Sequence, residues 1–129
     1  MIYILLNIVP IAAATVLGLA IGAGWLAALR LPRPALRTLA GFTLAEFWLA
    51  AILAGALILA PREAGAWVMA VGSAVVIWIG FVVPVLWVTL KASGTGARRI
   101  GAAMLHWLAV MVAQAIAMQA IGLVPPPAP

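Results

Sequence analysis

Two ionisable side chains lie inside apolar stretches of this sequence, and they are the residues best placed to do chemistry. Glu46 interrupts the run TLAEFWLAAILAGALILA (43–60), and His106 lies in a second apolar run towards the carboxyl terminus. A charged side chain in hydrocarbon is costly, so such residues pair with other polar groups or mark proton, ion or substrate pathways. We therefore expect Glu46 to face a polar partner.

His106 is the partner that the sequence predicts. If the second helix begins near Leu39 and the fourth near Ile100, Glu46 lies roughly 10 Å and His106 roughly 9 Å from the same membrane face, at a helix rise of about 1.5 Å per residue. A Glu–His pair would share a proton or form an ion pair, which lowers the cost of burying either group.

Other residues are expected at the same level of the membrane. Gly22 of the first helix would allow close approach, and Pro84 of the third would free a carbonyl near Gly80 that His106 could use as an acceptor. Gln114 follows His106 by eight residues, which places both close to one face of the fourth helix. The predicted polar site therefore comprises Glu46, His106, Gln114, Pro84 and Gly22.

Three interpretations of this site stay open. It is a proton-linked or ligand-binding site inside a helix bundle, or it is a structural clamp that holds the helices in register. In the third interpretation Glu46 extends towards the cytoplasmic interface, although its side chain is short for that purpose.

The residue inventory argues against an enzyme. The chain has no cysteine and no aspartate, so neither a thiol nucleophile nor a Ser–His–Asp set can form. One histidine and one membrane-embedded glutamate fall short of the three or four ligands of a metal site. The segment SGTGARR (93–99) lacks the GK[ST] ending of a phosphate loop. We expect no catalysis, no metal and no cofactor.

The elements that position these residues are membrane helices. The 129 residues are 68% hydrophobic and 7% charged, whereas soluble domains are roughly 45–50% apolar and about 25% charged. Four apolar segments, 2–29, 39–60, 65–90 and 100–124, reach the roughly 20 residues that cross a bilayer. Backbone groups in lipid must be satisfied within the segment. The sequence predicts an all-α integral membrane four-helix bundle with a single domain, 1–129.

Charge predicts the orientation of this bundle. Six basic residues lie in the first and third loops, whereas Arg62 alone lies in the second. The positive-inside rule then places both basic loops in the cytoplasm and both termini outside, in a bacterial inner membrane. Because these residues sit in short loops, we expect contact with lipid headgroups and none with nucleic acid. The six residues are Arg30, Arg33, Arg37, Lys91, Arg98 and Arg99.

Glycines predict close helix packing. Gly18 and Gly22 form a GxxxG pattern, and Gly72 and Gly80 are further candidates, either inside the bundle or in a homodimer. Aligning Trp25 with Trp87 also places Gly18 on Gly80. This alignment predicts a pseudo-two-fold repeat of two helix hairpins, although helices rich in small residues align in this way by chance.

Three stretches carry a resemblance to a known family. VLGLAIGAGW (16–25), VIWIGFVVPVLWVTL (76–90) and RRIGAAMLHWLAVMVAQAIAMQAIGL (98–123) resemble a domain-of-unknown-function family of small four-helix bacterial membrane proteins. The stretch LAALRLPRPAL (26–36) departs from the family pattern. The resemblance implies a four-helix membrane protein and implies no particular activity.

The function expected from these features is that of a non-enzymatic helix-bundle protein in the lipid bilayer. It would associate with itself as a homo-oligomer, or serve as an accessory subunit of a larger membrane complex. One alternative is a small proton-linked transporter or carrier that uses Glu46 and His106. Another is a protein that binds anionic lipid through its basic loops.

Overall fold

The computed structural model describes residues 2–61 and 65–127, and within these ranges every regular element is helical. Four helices are long and apolar enough to cross a membrane: α2, α3, the continuous helix 66–92 and α6. This confirms the predicted all-α architecture of four membrane helices. The elements are α1 (Ile2–Leu6), α2 (Ile8–Ala28), α3 (Leu36–Leu59), α4 (Ala66–Ile77), a π-helical segment (Trp78–Val82), α5 (Val83–Ala92) and α6 (Ala97–Ile121).

The two helices that precede the basic loops, α2 and α5, have the same backbone conformation at their carboxyl-terminal ends. After α2, Arg30 adopts a left-handed conformation with φ 54°, and Leu31 N–H donates to Leu26 C=O at 2.9 Å. Gly94 occupies the corresponding place after α5, with φ 79°. This is the Schellman motif, which normally takes glycine because an L side chain is strained there. Arg30 therefore carries a local cost that Gly94 avoids.

All six basic residues of these loops are exposed, and they lie at the α2–α3 and α5–α6 connections. In a chain of four successive spans, both connections lie at the same end of the bundle. Arg62, the single basic residue expected at the opposite end, lies outside the described residues.

A π-helical segment accommodates Pro84 within the third span. Val83 N–H donates to Trp78 C=O, five residues back instead of four. Pro84 follows directly and has no N–H to give to the preceding turn. A π turn is a known way of accommodating such an interruption of the hydrogen-bond ladder. The third span consequently stays one helix over Ala66–Ala92.

Helix α6 lies at the centre of the bundle and contacts α2, α3, α4 and α5. Alanines dominate the core around it, and their small side chains let helix backbones approach closely, as membrane helices require. The third span contributes least to this core, because only 11% of its membrane window is buried, against 22–28% in the other spans. The buried alanines are Ala14, Ala50, Ala51, Ala54, Ala70, Ala74 and Ala115.

An asparagine ties the two ends of the chain together at the face opposite the basic loops. Asn7 separates α1 from α2, and its Nδ2 donates to Tyr3 C=O and to Val124 C=O, both at 2.8 Å. Val124 N–H donates back to Asn7 Oδ1 at 2.7 Å. The tail beyond α6 is thereby fixed to the α1–α2 junction. Tyr3 covers Gly55 of α3, where an added Cβ would come within 3.1 Å of its hydroxyl.

Candidate functional site: a buried polar junction of three helices

Glu46 of α3 faces Gln114 of α6 in the interior of the bundle. Gln114 Nε2 donates a hydrogen bond to Glu46 Oε2 at 2.8 Å. The Glu46 side chain is 6% exposed, and Gln114 is fully buried. The partner of the membrane-embedded acid is therefore an amide of the central helix.

Gly18 of α2 forms the third side of this junction. A Cβ added at Gly18 would overlap Glu46 Oε2, and it would lie 2.7 Å from Gln114 Nε2 and 2.9 Å from Glu46 Cδ. Only a residue without a side chain lets α2 pack directly on the carboxyl–amide pair. One glycine, one acid and one amide, each from a different helix, therefore make up the junction.

The predicted pairing of Glu46 with His106 is wrong. Among residues 2–61 and 65–127, neither a hydrogen bond nor an ion pair joins them. The His106 ring instead packs against Trp25, with ring centroids 5.1 Å apart and planes tilted by 34°. Its Nδ1 is buried and has no hydrogen-bond partner in the described part of the chain.

An offset of helices α3 and α6 along their axes explains this error. Helices α3 and α6 both begin three residues before their predicted starts, at Leu36 and Ala97, so Glu46 and His106 still lie at similar distances from those starts, roughly 15 Å and roughly 14 Å at a rise of about 1.5 Å per residue. The acid then meets α6 at Gln114, which is roughly 12 Å further along the helix axis than His106. Equal distances from the two helix starts therefore did not mean equal depth, because α3 and α6 are offset along their axes by about two turns.

Gly22 and Pro84 are likewise absent from the junction. A Cβ at Gly22 would meet no atom within 4 Å, and Pro84 is exposed on the surface of the third span. No hydrogen bond from the His106 ring to a carbonyl near Gly80 is found in the described part of the chain. The third span is tied to α6 differently, because Trp78 Nε1 donates to Met104 C=O at 2.8 Å.

The four glycines predicted to pack helices divide into two groups. Gly18 is buried against the carboxyl–amide pair, whereas Gly22, Gly72 and Gly80 have open space where a Cβ would go. Among the described residues, no other helix packs closely on the latter three. Gly18 and Gly80, which the predicted repeat treats as equivalent, therefore have different surroundings, and the repeat stays a prediction.

The carboxyl group and the amide at the junction can bind a proton and form hydrogen bonds. In the ranges that the structure describes, no cluster of three or more metal-ligating residues exists. The 570 Å³ groove between α2 and α3 is lined by Thr15, Thr43 and Phe47 among others, and neither Glu46 nor Gln114 lines it. A 410 Å³ cavity near the α3–α4 connection likewise lies apart from them.

Comparison of the chain with family models, with curated proteins and with solved structures finds no match. The resemblance to a family of small four-helix bacterial membrane proteins therefore stays a prediction.

Proposed function

We propose that this chain is a non-enzymatic, multi-pass protein of the bacterial inner membrane that associates with copies of itself through its third span. Both termini face outward and both basic loops face the cytoplasm. Its partners are the lipid bilayer and a second copy of the chain. The Glu46–Gln114 pair holds the single-chain bundle in register, as one of the open interpretations of the site required.

The outer face of the third span carries this proposal. Ala70 and Ala74 are fully buried and point into the bundle. Gly72 and Val76 lie two residues further along and point away, since two residues turn a helix by about 200°. Val76 is 69% exposed, and Gly80 continues the same open stripe. Exposed glycines on a membrane helix favour close approach of another helix, and only 11% of the membrane window of this span is buried within the chain.

Cysteine cross-linking tests self-association directly, because the chain contains no cysteine. Val76→Cys places a thiol on the open face of the third span. Val16→Cys is the matched control, since Val16 is 66% exposed on α2. Under oxidation in native membranes we expect a disulfide-linked dimer from Val76→Cys and monomer from Val16→Cys. Equal yields from the two variants, or dimer from neither, would refute the proposal.

The same experiment distinguishes self-association from a role as an accessory subunit of a larger complex. If Val76→Cys cross-links to a different protein and never to itself, the open face of the third span belongs to a larger complex. Mass spectrometry of the cross-linked band identifies which of the two outcomes holds.

The orientation has its own test. Ser93 is exposed in the α5–α6 loop, and Pro126 is exposed in the carboxyl-terminal tail. A membrane-impermeant thiol reagent added to intact cells should label Pro126→Cys, and should label Ser93→Cys only after lysis. The reverse pattern would invert the proposed topology.

Proton-linked transport is the second candidate function. One observation favours it: the bundle interior holds a carboxyl group at Glu46 and an imidazole at His106 whose Nδ1 is buried without a partner. Such groups in membrane proteins commonly serve proton relays. Proton uptake by proteoliposomes, followed with a pH-sensitive dye, should then be lost in both Glu46→Gln and His106→Ala. If both variants differ from wild type only in stability, transport is refuted.

Anionic lipid binding is the third candidate, and the exposure of all six basic loop residues favours it. Basic clusters at a membrane surface attract anionic headgroups by about 1 kcal/mol per residue. Purified protein should then retain anionic lipid, and a variant with Arg98→Gln and Arg99→Gln should retain less. Equal lipid content in the two preparations would exclude this role for these arginines.

A further inference from the structure

One buried polar atom at the junction has no hydrogen-bond partner. Gln114 is fully buried, and its Nε2 donates to Glu46, but within residues 2–61 and 65–127 its Oε1 accepts from no group. A buried acceptor without a donor is costly, so an unpartnered oxygen in a well-packed interior needs an explanation. The missing component is a donor directed at Gln114 Oε1.

In the ranges that the structure describes, no donor lies within hydrogen-bond distance of Gln114 Oε1, and the side chain that already contacts the Gln114 amide is Glu46. Helix α2 presents Gly18 to the junction, and the nearby Thr15 hydroxyl already donates to Ile11 C=O within its own helix at 2.8 Å. Helix α4 contains no ionisable residue. On α6 the nearest ionisable group is His106, roughly 12 Å away along the helix axis.

The same inventory leaves an ionised Glu46 without a counter-ion. In the described ranges no cation forms an ion pair with it, and the arginines and the lysine of these ranges are exposed in or next to the α2–α3 and α5–α6 connections. A buried charge without a partner is strongly disfavoured in hydrocarbon. Gly18 packs directly against the pair, which leaves no room for a bound cation on the α2 side, and neither of the two cavities described above is lined by Glu46 or Gln114.

We infer that the junction is a binding site for a single proton, which resides on the Glu46 carboxyl group. The neutral acid accepts a hydrogen bond from Gln114 Nε2 and donates its O–H to Gln114 Oε1. This acid–amide pairing removes the charge and gives the unpartnered oxygen its donor in one step. The inference goes beyond the proposed self-association and does not rest on it.

Proton binding at Glu46 links folding to pH. The folded bundle holds a proton that the same carboxyl releases to neutral water when the chain unfolds. Stability then falls as pH rises from neutral, because the unfolded state binds fewer protons than the folded state. An ionised, hydrogen-bonded carboxylate would give the opposite slope. The direction of the slope therefore distinguishes the two forms.

Infrared spectroscopy of the purified full-length protein at neutral pH tests the inference. We expect the carbonyl stretch of a protonated carboxylic acid, shifted in heavy water and lost in Glu46→Gln. Glu63→Gln is the matched control, since Glu63 is the other acidic residue of the chain, and the band should persist there. If Glu46→Gln removes only carboxylate bands, the site holds no proton and the inference is overturned.

Thermal unfolding in detergent supplies a second readout. The Glu46→Gln side chain offers one donor and one acceptor, as the neutral acid does, so its unfolding midpoint should match or exceed that of wild type at neutral pH. Between neutral and alkaline pH the wild-type midpoint should fall more than that of the variant. A wild-type midpoint that rises relative to the variant would overturn the inference. If the variant does not fold, loss of the wild-type acid band at alkaline pH supports the inference, and its absence at neutral pH refutes it.

Discussion

Replacing Gly18 with alanine is the smallest change that tests the three-helix junction. The new methyl group would overlap Glu46 Oε2 and would lie 2.7 Å from Gln114 Nε2. Both contacts are with groups that are themselves hydrogen-bonded and enclosed. The strain can be relieved only by breaking the carboxyl–amide hydrogen bond or by moving α2 away from α3 and α6.

The expected cost follows from three contributions. Overpacking a filled interior costs about 1–3 kcal/mol. Weakening one interhelical hydrogen bond in a membrane bundle costs about 0.6–1.7 kcal/mol. Alanine recovers about 0.5–1 kcal/mol because it loses less backbone entropy in a helix than glycine. Gly18→Ala should therefore destabilise the bundle by a net of about 1–4 kcal/mol.

Gly22→Ala is the matched control, because Gly22 lies one turn further along the same helix and a Cβ there meets nothing within 4 Å. That variant should be neutral or stabilised by about 0.5–1 kcal/mol, the helix-propensity gain alone. Denaturant unfolding of both variants in detergent micelles, followed by circular dichroism, measures the difference. Equal stability of the two variants would refute the close packing of Gly18 on the pair.

A double variant locates the clash. Glu46→Ala removes the two atoms of the acid that the Gly18→Ala methyl group would touch. In that background Gly18→Ala should cost less than in the wild-type chain, because contact residues show non-additive effects of about 0.5–3 kcal/mol. If the two substitutions are additive, the alanine at position 18 is destabilising for a reason unrelated to Glu46.

Three further predictions concern the ends of the helices and the third span. Asn7→Ala should cost about 1–2 kcal/mol and should speed amide hydrogen exchange at Val124, measured by mass spectrometry; unchanged exchange would contradict the tie seen here. Arg30→Gly should stabilise the bundle by about 1 kcal/mol, since glycine adopts the left-handed conformation without strain, whereas Arg30→Ala should give no gain; equal unfolding midpoints for the two variants would be inconsistent with strain at this position. Trp78→Phe removes the indole donor to α6 and should cost about 0.6–1.7 kcal/mol in the same unfolding assay, whereas Trp67→Phe, on an exposed indole, should be neutral; a loss of similar size in both would point to ring packing instead of the hydrogen bond.

The sequence predicted the fold far better than it predicted the site. Length and composition were sufficient for four spans, because a bilayer imposes both on any chain that crosses it. The predicted helix ends were less accurate. Residues 36–38 and 97–99 are helical, although they carry arginines and lie before the predicted helix starts. Polar residues at a helix end reach the headgroup region, so the helix continues past the apolar stretch that signals it.

Gly18 illustrates a different limit. Among 12 glycines, nothing in the sequence marks the one that packs against the acid. In a soluble helix an apolar stripe would reveal the buried face. Here the lipid-facing and bundle-facing sides are equally apolar, so periodicity does not tell which face is inward. The hydrogen bonds by which Asn7 fixes the carboxyl-terminal tail could not be predicted either, because its partner there is a backbone group 117 residues away in the sequence.

The sequence by itself determined that this chain resides in a membrane, that it is helical, and that the acid at Glu46 requires a polar partner. These follow from the cost of leaving charges and backbone groups unsatisfied in hydrocarbon, which applies to every arrangement of the helices. Only the tertiary structure decided that the partner is Gln114 and that Gly18 completes the junction. That choice depends on how the helices are offset along their axes, and an offset of about two turns was enough to make the partner an amide instead of an imidazole.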